Sequence, residues 1–172
     1  MRPRWLIAVI ILGGVLLAVW WGVRPWQRPV TVYFLRVTQS GSTLVPVTRV
    51  VSGRGPTSTR GLVAAALEAL IAGPVDAERA RGLTSEIPSG TRLRGVETRD
   101  GVVRADFSRE VEAGGGSTSM LGRFWQIVYT ATQFPDAPRV RILLEGQEHA
   151  TLGGEGVLID HPIARPPIAP RF

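Results

Sequence analysis

The side chains that could carry out chemistry are few and widely separated in this sequence. Cysteine is absent, which excludes disulfides, thiol nucleophiles and zinc sites built from thiolates. The two histidines, His149 and His161, do not have the spacing of a helical metal-binding motif, and we interpret both as surface or turn residues. No serine lies in a Gly-x-Ser-x-Gly sequence, so the sequence predicts no nucleophile elbow.

Two further patterns bear on catalysis and anion binding. Asp106 and Glu110 could form a carboxylate pair, but acid–base catalysis needs two groups apposed in a cleft. We expect Asp106, at a strand end, to bond the local backbone instead. The run Gly114–Ser117 precedes a predicted helix but lacks the lysine of a phosphate-binding loop, so we interpret it as the lead into that helix. The sequence therefore predicts no catalytic, metal-binding or cofactor-binding residue, and no enzyme.

The charge distribution argues against a nucleic-acid partner, although the isoelectric point is near 11.3. All 20 basic residues are arginine, and the net charge is +6. Arg2, Arg4, Arg24 and Arg28 flank an apolar N-terminal stretch. Over the rest of the chain arginines and acids alternate without a basic block, so we expect no binding to nucleic acid.

The N-terminal stretch has the features of a membrane anchor. Trp5 to Val23 carries no charge, and as a helix it would extend about 28 Å, close to the thickness of a bilayer core. Trp20 and Trp21 stand where a signal peptidase would need small residues. We therefore expect residues 1–28 to form an uncleaved signal anchor with its flanks. The short N-terminal tail favours a single-pass protein in the cell membrane, with its domain on the extracytoplasmic side.

The chain after the anchor begins with a predicted β-hairpin and a helix. β-branched and aromatic residues in Val30–Val37 and Leu44–Val51 favour two antiparallel strands, and Pro46 predicts an edge position or a bulge for the second. A helix follows, bounded by a cap at Thr57, Ser58 or Thr59 and by Gly73-Pro74. Its expected buried face comprises Leu62, Ala66, Ala69 and Leu70.

The second half repeats this order of elements. Asp100-Gly101 predicts a tight turn between two strands. The helix that follows has an expected buried face of Leu121, Phe124, Trp125, Val128, Ala131 and Thr132, with Trp125 as its core anchor. Val140–Gly146 is a predicted strand, and Gly156–Ile163 is a possible last one.

The elements predict an α+β fold in the order β-β-α-β-β-α-β, with two helices on one face of a largely antiparallel sheet. We expect this domain to span residues 29–163. A proline-rich C-terminal tail, residues 164–172, follows it.

Several motifs of this domain, in this order, resemble the GerMN domain of sporulation and spore germination proteins. The motifs are Ala72-Gly73-Pro74, Ile87-Pro88-x-Gly90-Thr91, Asp106-Phe107-Ser108 and Tyr129–Pro135, and the similarity spans Val30 to Ile163. The resemblance implies a non-catalytic α+β module that binds or scaffolds envelope proteins or cell-wall components. It supplies no catalytic residues.

An alternative from another functional class stays open. The domain could be a small-ligand or glycan-binding accessory subunit, or a cell-wall enzyme whose site no sequence motif marks. That alternative requires a concave polar pocket with ionisable groups whose pKa values are perturbed.

Overall fold

The computed structural model describes residues 26–53, 57–153 and 156–172. The predicted anchor, Trp5 to Val23, lies outside the described residues. Within the described ranges, no helix combines the length and the apolar character needed to cross a membrane. These ranges form an α+β fold in which most strand pairs are antiparallel, as the sequence predicts.

The first sheet is built on the predicted hairpin. Strand β1 (Trp26–Thr38) pairs antiparallel with β2 (Gly41–Gly53) over its whole length, and β3 (Leu83–Thr84) pairs with the other side of β1. The strand order β2-β1-β3 places Pro46 on an edge strand, which confirms that prediction. Alternate β1 side chains enter the core, namely Val30, Val32 and Phe34.

The second sheet comprises β4 (Leu93–Arg99), β5 (Val102–Phe107), β6 (Arg139–Leu144), β7 (Gln147–Glu148) and β10 (Ile163–Ala164). The strand order is β10-β6-β5-β4, with β7 also paired to β6. Strands β5 and β6 are parallel because a long helical connection joins them, and the other pairs are antiparallel. The predicted turn between β4 and β5 is confirmed, since Asp100 and Gly101 both have positive φ.

The single last strand predicted over Gly156–Ile163 is wrong. This segment instead contributes β9 (Val157–Leu158), which pairs with β8 (Thr151–Leu152), and the first residue of β10. Pro162 lies between β9 and β10, and proline cannot donate a hydrogen bond to a ladder. The segment therefore contributes to two short strand pairs, one with β8 and one with β6, rather than to one long strand.

Three α-helices are present in the described residues: α1 (Thr59–Ile71), α2 (Asp76–Arg79) and α3 (Ser117–Ala131). The hydroxyl of Ser58 accepts a hydrogen bond from the Gly61 amide at 3.2 Å, so the predicted cap of α1 is confirmed. Helices α1 and α3 contact each other, and each contacts strands of both sheets. The described strands thus divide between two larger sheets and the small β8-β9 pair, where the sequence predicted one sheet with both helices on one face.

This packing between two sheets changes which helix residues are buried. In α1 the buried residues are Val63, Ala66, Leu67 and Leu70, whereas Leu62 and Ala69 are only half-buried. In α3 the predicted core residue Trp125 is half-buried, whereas Ile127 is fully buried. A helix that packs against two sheets buries more than one face. The single apolar stripe read from the sequence therefore did not identify all of the buried helix residues.

The C-terminal tail packs against the domain. The Arg165 guanidinium lies over the rings of Tyr33 and Tyr129, at 5.1 and 5.0 Å from their centroids. At the chain end, the Ser42 amide donates to the Phe172 carbonyl at 2.6 Å. These contacts join residues on both sides of the predicted boundary between the domain and its tail at residue 163. That boundary remains a prediction.

Candidate functional site

Polar side chains in α3 and just after its end bond to the part of β1 that β3 leaves unpaired, at a contact that we call the α3 seam (Gln126, Thr130 and Gln133). The Gln133 amide accepts from the Thr31 backbone N–H at 2.7 Å and donates to the Thr31 carbonyl at 2.8 Å. Thr130 accepts from the Tyr33 N–H at 3.2 Å, and Gln126 donates to the Tyr33 carbonyl at 3.0 Å. These side chains replace a neighbouring strand, so they satisfy backbone groups that would otherwise be unpaired.

The seam gives the Tyr129–Pro135 motif a structural role, because Thr130 and Gln133 belong to that motif. The predictions from the sequence did not include this role. The available signal was Gln126 and Thr130, four residues apart on one face of α3, with Gln133 two residues after the helix end.

Arg123, which is only 2% exposed, ties a long loop to α3 beside the seam. Its guanidinium donates to the carbonyls of Val111 at 2.6 Å, Gly114 at 3.2 Å and Glu86 at 3.0 Å. Burial lowers the pKa of this side chain. The run Gly114–Ser117 is therefore held by Arg123 and leads into α3, as the sequence predicts.

The two predicted candidate carboxylates have separate partners. Asp106 accepts from the Gly146 amide at 2.8 Å and pairs with Arg94 at 3.3 Å. Glu110 lies 3.7 Å from Arg92. Asp106 thus bonds the backbone of the turn after β6, which is distant in sequence, where we expected a local backbone bond.

The outward side of the second sheet, which we call the outer face, is rich in ion pairs. Arg94 pairs with Asp106 and Glu145, while Arg104 and Arg141 both pair with Glu148. Hydrogen bonds from Arg141 and Arg104 lower the pKa of Glu148. An open cavity of about 320 Å³ lies on this face, lined in part by Arg60, Glu97, Arg104 and Asp106.

The histidines lie on or near the surface, as expected. His161 is exposed, and its Nδ1 lies 2.6 Å from the Asp160 carboxylate, while His149 is half-buried. In the part of the chain that the structure describes, no cluster of three or more histidine, aspartate and glutamate side chains is placed to hold a metal ion.

A second cavity, of about 510 Å³, lies between the C-terminal end of α1 and β3, and we call it the β3 groove. Its apolar walls are Ile71, Pro74, Leu83 and Ile87, and its polar lining includes Arg79, Thr84, Ser85 and Ser89. Two motifs that were separate in the sequence, Ala72-Gly73-Pro74 and Ile87–Thr91, meet here. Among the described strands, none pairs with β3 on the side away from β1.

An ion pair between half-buried Arg49 and buried Glu78 fixes α2 next to the groove. The Arg49 guanidinium bonds both carboxylate oxygens of Glu78, one of them at 2.6 Å, and the Val75 amide donates to Glu78 at 2.9 Å. Glu78 is 3% exposed. The hydrogen bond from Arg49 lowers the pKa of Glu78, against the opposing effect of burial. No sequence motif marked this pair, because its members lie on β2 and α2.

Comparisons with known proteins agree with this fold. The family model Germane, described as sporulation and spore germination, matches residues 31–150. The tandem GerMN domains of the sporulation protein GerM from Bacillus subtilis are 25% identical, with a TM-score of 0.64 over 81% of this chain and 46% of that chain. The chain thus spans about half the length of the tandem structure.

The first GerMN domain of the same Bacillus subtilis protein gives a similar result. It is 24% identical, with a TM-score of 0.64 over 80% of this chain and 98% of that chain. No curated protein matches the sequence. The likeness to this single domain supports the fold.

Proposed function

Because the chain belongs to the Germane family of sporulation and spore germination, we propose that it is a membrane-anchored, non-catalytic binding module of the cell envelope. The observation that carries this proposal is the β3 groove. Two of the family-like motifs form its walls, and its lining is apolar side chains, hydroxyl groups and one arginine. Such a lining suits the binding of another chain.

The position of the groove supports a tethered role. Strand β1 starts at Trp26, directly after the predicted anchor, and β3 joins it at Leu35 and Arg36. Nine residues of extended chain span about 30 Å, so the groove lies far from the point at which β1 begins. With the predicted span Trp5 to Val23 in the membrane, the groove lies near the end of β1 that is distant from the anchor. Tethering then raises the local concentration of a weak binding site.

Complementation of a deletion strain tests the anchor. We expect the domain exported without residues 1–25, which keeps β1 complete, to stay folded but to lose function. The same domain on an unrelated single-pass anchor restores function, because only the tether is needed from that segment. Full complementation by the untethered domain, at the same level of protein, would contradict the proposal.

The alternative, a glycan-binding subunit or cell-wall enzyme, would use the polar cavity on the outer face. Glu148, on the same face but outside the lining of that cavity, has a lowered pKa, which keeps it ionised and unsuited to donate a proton near neutral pH. We expect no turnover of peptidoglycan fragments by the full-length protein. Turnover that Asp106→Asn abolishes, without a change in thermal stability, would overturn the non-catalytic assignment.

A further inference from the structure

We propose that the β3 groove binds an extended, acidic segment of a partner protein, which lies alongside β3. This inference rests on the proposed function, since it names the partner chemistry of that binding module. Strand β3 is the outermost strand of its sheet, and it contributes only Leu83 and Thr84. An extended peptide can add to such an edge through main-chain hydrogen bonds.

The groove walls supply pockets for side chains of an added strand. Alternate side chains of an extended segment point to the same side, so one set faces the groove while the other faces solvent. Ile71, Pro74, Leu83 and Ile87 form an apolar wall that suits β-branched side chains. Gly73 has a φ of +78°, and a Cβ atom at this residue would meet no other atom within 4 Å, so the end of α1 leaves this side of the groove open.

The charge around the groove favours an acidic partner. Arg79 lines the β3 groove, and Arg36 and Arg81 line a neighbouring cavity of about 350 Å³ that shares Leu83 with it. Three acids lie nearby, and each has a partner. Asp76 pairs with Arg79 at 3.2 Å, and Glu78 accepts from Arg49 at both carboxylate oxygens. Glu86, between the lining residues Ser85 and Ile87, accepts from the Ser119 hydroxyl.

Arg36 has no ion pair with any residue in the described ranges. The cavity next to the β3 groove therefore presents an unpaired positive charge to solvent. Complementary charge raises the rate of association and rejects partners of the same sign.

A peptide titration of the full-length protein in detergent tests this proposal. The probe is a fluorescent peptide of about eight residues that alternates valine and glutamate, a length typical of a β-strand. We expect the valine–lysine counterpart to bind at least about tenfold more weakly at low salt. A valine–glutamate peptide with methylated backbone amides should also lose binding, because it cannot add to a strand edge.

Matched charge reversals locate the site. We expect the double variant R79E/R81E to weaken binding of the valine–glutamate peptide by about tenfold, whereas R99E has little effect. Arg99 is a suitable control because its side chain is 86% exposed and it lies next to the β4–β5 turn, outside the groove lining. Thermal melts verify that all variants fold.

Three results would overturn the inference. They are equal affinity for the glutamate and lysine peptides, an effect of R99E as large as that of R79E/R81E, and displacement of the peptide by vesicles of anionic lipid. None of these results affects the complementation experiment, so the groove assignment and the anchored-module function fail separately.

Discussion

The α3 seam and the outer face are both polar, but they differ in burial and in the type of partner. In the seam, neutral amide and hydroxyl groups bond to the β1 backbone, and Gln126 and Thr130 are fully buried. On the outer face, guanidinium groups bond to carboxylates at positions that solvent reaches. The comparison distinguishes buried polar contacts, which fix the fold, from exposed ion pairs, which keep a surface polar.

Burial explains the difference in energetic weight. A buried backbone group that loses its partner costs about 1–3 kcal/mol, because water cannot replace the lost hydrogen bond. An exposed ion pair contributes about 0–1 kcal/mol, since water and salt screen both charges. The seam therefore fixes α3 against β1, and the outer face contributes little to stability.

Removal of Arg123 should have the largest effect. We expect Arg123→Ala to lower the free energy of unfolding by about 4 kcal/mol, because several buried carbonyl groups lose their donor and a cavity forms. Chemical denaturation measures this change. Arg94→Ala on the outer face is the matched control, with an expected loss below about 1 kcal/mol. Equal losses for the two variants would contradict the comparison.

The Arg49–Glu78 pair distinguishes the effect of burial from that of charge, because it is an ion pair like those of the outer face but its carboxylate is buried. We expect Glu78→Gln to cost about 3 kcal/mol near neutral pH, because Arg49 then lacks its carboxylate partner. Denaturation at neutral pH measures this loss. A cost as small as that of an exposed pair would show that burial does not decide the weight of this contact.

The pH dependence of that cost has a definite sign. The pKa of Glu78 lies below its ordinary value of 4.5 in the folded protein, so its stabilising effect is fully present above that value. The effect is lost as the pH falls through the lowered pKa. Denaturation of the wild-type protein and of Glu78→Gln should therefore converge in acid. A difference that stays constant down to the acid limit of folding would contradict this assignment.

Truncation of Gln133 should have an intermediate effect. We expect Gln133→Ala to cost about 2 kcal/mol, because the N–H and carbonyl of Thr31 both lose their partner. Gln27→Ala, at an exposed position of the same strand, serves as the control. Hydrogen exchange at the Thr31 amide should also accelerate in Gln133→Ala, and unchanged exchange there would show that the seam does not protect the edge of β1.

Neutralisation of Glu148 should have the smallest effect. We expect Glu148→Gln to leave the thermal midpoint unchanged, because this carboxylate is exposed to solvent and salt screens its pairs. By NMR titration the pKa of Glu148 should lie below the ordinary glutamate value and move toward it as salt is added. A midpoint shift as large as that of Glu78→Gln would show that the outer face fixes the fold.

The sequence by itself determined the features that depend on neighbouring residues. A cap within Thr57–Thr59, the helix end at Gly73 and the Asp100-Gly101 turn follow from local backbone geometry, and the structure confirms each, with Ser58 as the cap. The edge position of Pro46 follows from its missing N–H. The order of the motifs also identified the family, because each motif marks a turn, a strand end or a helix end.

Only the tertiary structure decided which residues form the candidate site. The β3 groove joins the end of α1 to a strand of two residues, and the Arg49–Glu78 pair joins β2 to α2, at separations that no local pattern encodes. The same holds for the helix faces, since the second sheet supplies a second covering surface for α1 and α3. Periodicity reports that a helix has an apolar side, but the number of surfaces packed against it sets how much of it is buried.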